Sequence, residues 1–175
     1  MTKQEFESCV YTYGKDIYSF CKYLTCSKQE ADDLYQDTFL TAIERREHID
    51  STCNPKSYLL SITLHLWKNK KRKFAWRKRI AEMRLFVDET SECAISDENP
   101  SPEMLFLQKE EIDTVHLAVN GLPEKQKLVI LLFYMEDLST AQIAAILNIP
   151  QGTVLSRLHQ ARKRLQHELE ALLHE

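Results

Sequence analysis

Apolar residues recur along this chain at spacings of three and four. Phe6, Val10, Tyr13, Ile17, Phe20 and Leu24 predict a first helix over about Lys3–Leu24. Ser27, with Glu30 three residues on, has the spacing of a capping box. Ala31, Leu34, Tyr35, Phe39, Ala42 and Ile43 then carry a second helix. The turn cluster DSTCNP (Asp50–Pro55) follows, with Asn54 placed as N-cap and Pro55 as first helical residue. A third helix carries Tyr58, Leu59, Ile62 and Leu66 and runs into a basic stretch. Strand-like alternation is hard to find and there are only three glycines, so the expected fold class is all-α.

The pattern lapses after Val87. DETSECAISDENPSP is acidic, rich in small residues and closed by proline, and reads as a flexible linker. A helix from about Pro102 to Val119 is expected beyond it, ended by Gly121, and another from Pro123 to about Tyr134. Two small helical domains result: residues 1–87, a linker over 88–101, and residues 102–175.

The stretch Ser139–Leu165 carries the strongest local signal. Ser139 and Gln142 have capping-box spacing, and Ile143, Ala144, Ile146 and Leu147 form an apolar face. Asn148 tolerates a left-handed turn, and Pro150 cannot continue the first helix but can open a second. Val154, Leu158, Ala161, Leu165, Leu169 and Leu172 make the stripe of that second helix. Its other face holds Thr153, Ser156, Arg157, His159, Arg162 and Lys163, groups suited to base edges and phosphates. This is the outline of a helix-turn-helix. The local pattern alone leaves open an amphipathic hairpin with a solvated basic face.

Charge sharpens the picture. The formal net charge is −3, unusual for a nucleic-acid binder, but its distribution is uneven. Residues 66–79 (LWKNKKRKFAWRKR) contain eight Lys or Arg and no acid, whereas 88–113 contain nine acids and one lysine. The basic cluster interleaved with Trp67, Phe74 and Trp76 suits phosphates and unstacked bases. Five cysteines without a CxxC pattern point to free thiols. There is no membrane-length apolar run or signal-peptide core, so a cytoplasmic protein is expected.

These motifs, in this order, resemble the sigma-70 family of RNA polymerase sigma factors, extracytoplasmic-function (ECF) subfamily. GLPEKQKLVILLFYMEDLSTAQIAAILNIPQGTVLSRLHQARKRL is similar to sigma region 4, through Leu122-Pro123-Glu124, Ile143-Ala144 and Gly152-Thr153-Val154 with Ser156-Arg157. Glu30–Ile43 is similar to region 2.2, and Asn54–Lys73 to regions 2.3 and 2.4. The resemblance implies a factor that binds core RNA polymerase and directs promoter-specific initiation. It implies polymerase contacts at Asp33, Gln36 and Phe39, and −10 DNA contacts at Thr52, Asn54, Lys68, Lys71, Arg72 and Lys73. It implies −35 contacts at Thr153, Ser156, Arg157, His159 and Arg162. An anti-sigma factor, membrane-anchored or soluble, is a further expected partner. No catalysis, cofactor, metal or small-molecule substrate is expected.

Three positions depart from the family pattern. Leu155 stands where a lysine or similar polar residue is common, and His65 and Asn69 where many members have Asn and Asp. Leu155 cannot bond a base edge, although it suits a thymine methyl. A stand-alone helix-turn-helix regulator is the alternative function. An enzyme acting on DNA is disfavoured: the six histidines and the cysteines show no ligand spacing, and of Asp32, Asp33 and Asp37 the adjacent residues point apart on one helix.

Overall fold

The computed structural model describes residues 2–25, 27–45, 54–82 and 115–173, and the chain divides into two compact units, Met1–Ser96 and Asp97–Glu175. The predicted linker, Thr52 and the start of the helix expected at Pro102 lie outside the described residues. Among the described residues all regular structure is helical.

In the first unit, α1 (Lys3–Leu24), α2 (Lys28–Glu44) and α3 (Pro55–Glu82) pack pairwise. A complete capping box starts α1: the Thr2 N–H donates to Glu5 Oε2 (2.7 Å), and the Glu5 N–H donates to Thr2 Oγ1 (3.3 Å). The backbone and then the side chain of Thr2 hold the Glu5 carboxyl below its ordinary value by hydrogen bonding. Phe6, Cys9, Ile17, Phe20, Cys21 and Leu24 form the buried stripe of α1. Burial pushes the Cys9 thiol up, so it serves as a small apolar core group. Ser27 caps α2 by accepting the Glu30 N–H (3.1 Å), but the return bond from Glu30 that would complete the box, as in α1, is not made. Ala31, Leu34 and Ala42 are buried as the stripe predicts, whereas Ile43 is exposed and Thr38 takes a core position. The Thr38 hydroxyl is satisfied by the Leu34 carbonyl (2.7 Å) and lies 3.3 Å from the Thr63 hydroxyl of α3. Thr63 in turn donates to the Leu59 carbonyl (2.9 Å). Two buried hydroxyls therefore meet where α2 crosses α3.

The second unit opens, among the described residues, with helical residues 115–121. This helix includes Gly121, at which the sequence expected it to end. Next come α5 (Glu124–Ile130), α6 (Thr140–Leu147) and α7 (Gln151–Leu173), with residues 115–121 counted as α4. Beyond Ile130 the chain widens into a π turn over Leu131–Met135, closed by the Glu136 N–H on the Leu131 carbonyl (3.2 Å). Asp137 then takes a left-handed φ of 53° and ends the helical run. Ser139 and Gln142 make the predicted capping box of α6: the Ser139 N–H donates to Gln142 Oε1 (2.9 Å) and the Gln142 N–H to Ser139 Oγ (3.3 Å). Asn148 adopts the left-handed conformation the turn requires (φ 54°, ψ 53°), and the Ile149 N–H returns to the Ala144 carbonyl (3.1 Å). Pro150 then offers its carbonyl to the Thr153 N–H (2.9 Å), which starts α7.

A β-carbon in left-handed backbone costs roughly 1–2 kcal/mol, less for Asn than for other side chains. Asn148→Ala is expected to lower the stability of the second unit by about 1 kcal/mol, and Asn148→Gly to leave it equal or higher. Chemical denaturation of both variants checks this; equal losses in the two would place the cost in the missing amide rather than in the backbone.

Candidate functional site

The unpacked half of α3 forms the first candidate surface. At 1.5 Å per residue this 28-residue helix is about 42 Å long, well beyond the 17 residues of α2. Leu59, Leu60, Ile62, Leu64 and Trp67 are buried, whereas every residue from Lys68 to Arg79 except Asn69 is exposed. The helix is a core element at one end and a charged rod at the other. Lys68, Lys71, Arg72 and Lys73 all lie on the rod. The Lys71 ammonium sits 4.8 Å above the Trp67 ring, and Arg72 donates to Asn69 Oδ1 (2.6 Å). Lys70 reaches back to Asp37 of α2 (2.8 Å). The three aromatics separate: Trp67 is core, while Phe74 and Trp76 are 70% and 65% exposed. Asn54 caps the other end of α3, its side chain accepting the Lys56 N–H (3.0 Å).

The second surface is the outer face of α2. Asp33 and Gln36 are exposed there, and Leu40 (60% exposed) and Ile43 share their side at helical spacing. Phe39 is half-buried instead, edge-on to Tyr35 (4.8 Å between centroids) and Phe6 (6.4 Å). Sequence reasoning missed Leu40. The available signal was its place off the Ala31–Leu34–Thr38–Ala42 stripe. The nearby acids serve separate partners: Asp32 accepts from the Tyr18 hydroxyl (2.7 Å) and Asp37 pairs with Lys70.

The third surface is the polar side of α7. Burial of Val154, Leu158 and Ala161 turns Ser156, His159 and Lys163 outward and leaves Thr153 and Arg157 half-buried at the flanks. Ser156 donates to the Thr153 carbonyl (3.0 Å), and Gln151 donates from its amide to Thr140 Oγ1 (2.7 Å), tying the start of α7 to the start of α6. Arg162 does not stand with Ser156 and His159. Its guanidinium lies 5.5 Å over each of Phe133 and Tyr134, rings that the π turn sets side by side. The sequence carries no sign of this stacking, because it depends on a turn that periodicity does not reveal.

These features define a helical protein with a helix-turn-helix in one unit and a helix ending in a basic rod in the other. Family models agree with this division: Sigma-70 region 2 matches residues 9–78, and Sigma-70, region 4 matches residues 112–165. The chain is 30% identical over 168 residues to the ECF RNA polymerase sigma factor SigW of Bacillus subtilis, covering 95% of this chain and 90% of that protein. Its fold is similar to the sigma factor RpoE solved in complex with the anti-sigma factor NepR from Bartonella quintana (TM-score 0.76, 24% identity, 95% of this chain and 98% of that one). It is also similar to CnrH in complex with the cytosolic domain of CnrY (TM-score 0.68, 19% identity, 97% and 90% covered). The chain belongs to the ECF sigma factors of the sigma-70 family, and its function is that of a sigma factor directing promoter-specific transcription.

Arg162→Ala is expected to lower the stability of the second unit by about 0.5–1 kcal/mol by removing the cation from the two rings. Lys163→Ala, one residue along and fully outward, should stay within about 0.5 kcal/mol of wild type. Thermal unfolding without DNA distinguishes them; equal effects would remove the packing role of Arg162.

Proposed function

We propose that the three surfaces divide the work of initiation. Residues 1–87 act as region 2, residues 88–101 as linker and residues 102–175 as region 4. Asp33 and Gln36, joined by the exposed Leu40 and Ile43, dock on core RNA polymerase, with Phe39 positioned behind them against Phe6 and Tyr35. A mixed patch of a carboxylate, an amide and aliphatic groups on a rigid helix suits a protein partner. Asn54, with Thr52 before it, and the cations Lys68, Lys71, Arg72 and Lys73 hold the −10 element. The observation that carries this assignment is the rod of α3 beyond the buried Trp67, on which Lys68, Lys71, Arg72 and Lys73 are all solvent-exposed, a row of cations suited to phosphates. Melting separates bases from their stack at a cost of a few kcal/mol per step, and backbone contacts with the separated strand offset part of it.

In region 4, α7 reads the −35 element through Thr153, Ser156, Arg157 and His159, as the outward face of a second helix does in this motif. Arg162 acts at one remove, by stacking α7 on Phe133 and Tyr134 and reaching DNA only at the rim. The factor works through polymerase and performs no chemistry of its own, and it acts in the cytoplasm. No helix among the described residues is long and apolar enough to cross a membrane, which fits that place of action. An anti-sigma factor as regulatory partner is supported by two similar folds solved with such a partner or with a cytosolic domain bound. The match of region 2 over residues 9–78 favours this reading over a stand-alone regulator, which needs no such module.

Run-off transcription with purified core polymerase over a genomic promoter library is the direct test. Specific transcripts are expected only when the chain is added; none across the library sinks the reading. Arg157→Ala should cost roughly 1–3 kcal/mol at −35 if it makes a bidentate base contact, and an unchanged promoter profile removes that role. Replacing Lys71 and Arg72 by Gln should weaken single-strand binding by the holoenzyme and reduce its salt slope by about 1.4, or roughly 0.7 for each phosphate no longer neutralised. A slope identical to wild type would mean that both cations stay solvated in the complex.

A further inference from the structure

Leu155 is the anomaly of the recognition face. It lies in the second turn of a helix whose outward side is otherwise polar, and it is 53% exposed. Among the described residues no packing explains an aliphatic group there, because the buried stripe runs through Val154, Leu158 and Ala161. At 100° per residue, Gln151, Arg162 and Leu155 share one arc of about 40° along α7, with Leu155 at its edge and the exposed His159 about 40° further round. Both polar members of that arc are engaged within the protein. The Gln151 amide donates to Thr140 Oγ1 (2.7 Å), and the Arg162 guanidinium stacks over Phe133 and Tyr134 (5.5 Å to each). Arg162 also lies about 10 Å further along the helix axis than Leu155, away from the N-terminal turns that enter the groove in this motif. The side chain left to meet bases on this flank is therefore apolar. Among major-groove edges, only thymine presents a methyl group.

We propose that Leu155 is a specificity-determining residue of this factor and selects thymine at one −35 position by burying that base's 5-methyl group. The inference rests on α7 reading the −35 element. Leu155 makes no hydrogen bond to the base; its discrimination comes from apolar contact and from leaving the amino group of a cytosine or adenine unpaired at the same place.

The test uses the full chain bound to core RNA polymerase. Binding sites are first selected from a promoter pool randomised at −35. Each thymine of the selected element is then replaced, one at a time, by deoxyuridine, which removes only the methyl. One position is expected at which this costs wild type roughly threefold to fivefold in affinity, the worth of one buried methyl group. Leu155→Ala should show no cost there and should select a degenerate base at that position. Leu155→Gln, whose amide pairs with adenine, should shift the selected base to adenine. Because Leu155 is exposed, each variant is expected to unfold like wild type, and that is checked alongside. The proposal is overturned if no thymine is selected, or if deoxyuridine costs wild type and Leu155→Ala the same at every position. A pool that enriches no upstream element at all would instead sink the −35 reading, and the role of Leu155 with it.

Discussion

The second unit depends on one narrow stripe of apolar surface. Among the described side chains of the 23-residue α7, Val154, Leu158 and Ala161 are the buried positions, and their burial fixes its rotation. A shift of one residue in that stripe would turn the polar face by about 100° and expose a different set of side chains. The devices around the stripe protect its setting. The left-handed turn at Asn148 sets where α7 begins, the Gln151–Thr140 bond ties its first residue to α6, and the Arg162 stack holds it further along. The surface chemistry here is a consequence of packing: what the core does not take is what α7 presents.

The first unit solves a different problem. A stretch with eight cations and no acid repels itself, so it cannot fold as a compact patch without counter-charge. It is tolerated because α3 is anchored at its other end by Leu59, Leu60, Leu64 and Trp67 and by the meeting of Thr38 and Thr63. The helical backbone then spaces the charges along a rod instead of crowding them. Helix propensity favours the arrangement, since Lys and Arg are good helix formers. Lys70 is drawn back, to Asp37, at the point where the rod leaves the bundle. Exposed ion pairs of this kind add little to stability; its position at the junction matters more than its energy.

Much of this was legible in the sequence because helices announce themselves by period. The ranges of α1, α2, α6 and α7, the caps at Ser27, Ser139 and Asn54, and the turn at Asn148 follow from spacing and local chemistry. What escaped depends on neighbours distant in sequence. Thr38 and Thr63 look polar, and only their mutual approach and their bonds to Leu34 and Leu59 make them core residues. Glu30 has capping-box spacing, yet its side chain makes no return bond, since an exposed carboxylate loses little by staying in water. The stacking of Arg162 escaped because its charge was visible and the Phe133–Tyr134 platform was not. Ile43 read as core and Leu40 went unnoticed, because periodicity locates a stripe less sharply than it locates a helix.

The net charge of −3 has a functional meaning once the charges are placed. Beyond a Debye length of about 8 Å at physiological salt, exposed charges are largely screened and the small net charge attracts DNA little. Within that distance DNA senses the α3 rod or the face of α7, which are attractive. Long-range steering toward arbitrary DNA is therefore weak, while close-range affinity is kept. A uniformly basic chain would bind non-specific duplex strongly through counterion release alone and would be spread along the genome. Segregated charge suits a factor whose placement on DNA comes with polymerase: the enzyme brings the chain to the duplex, and local surfaces engage when the correct sequence lies beneath them.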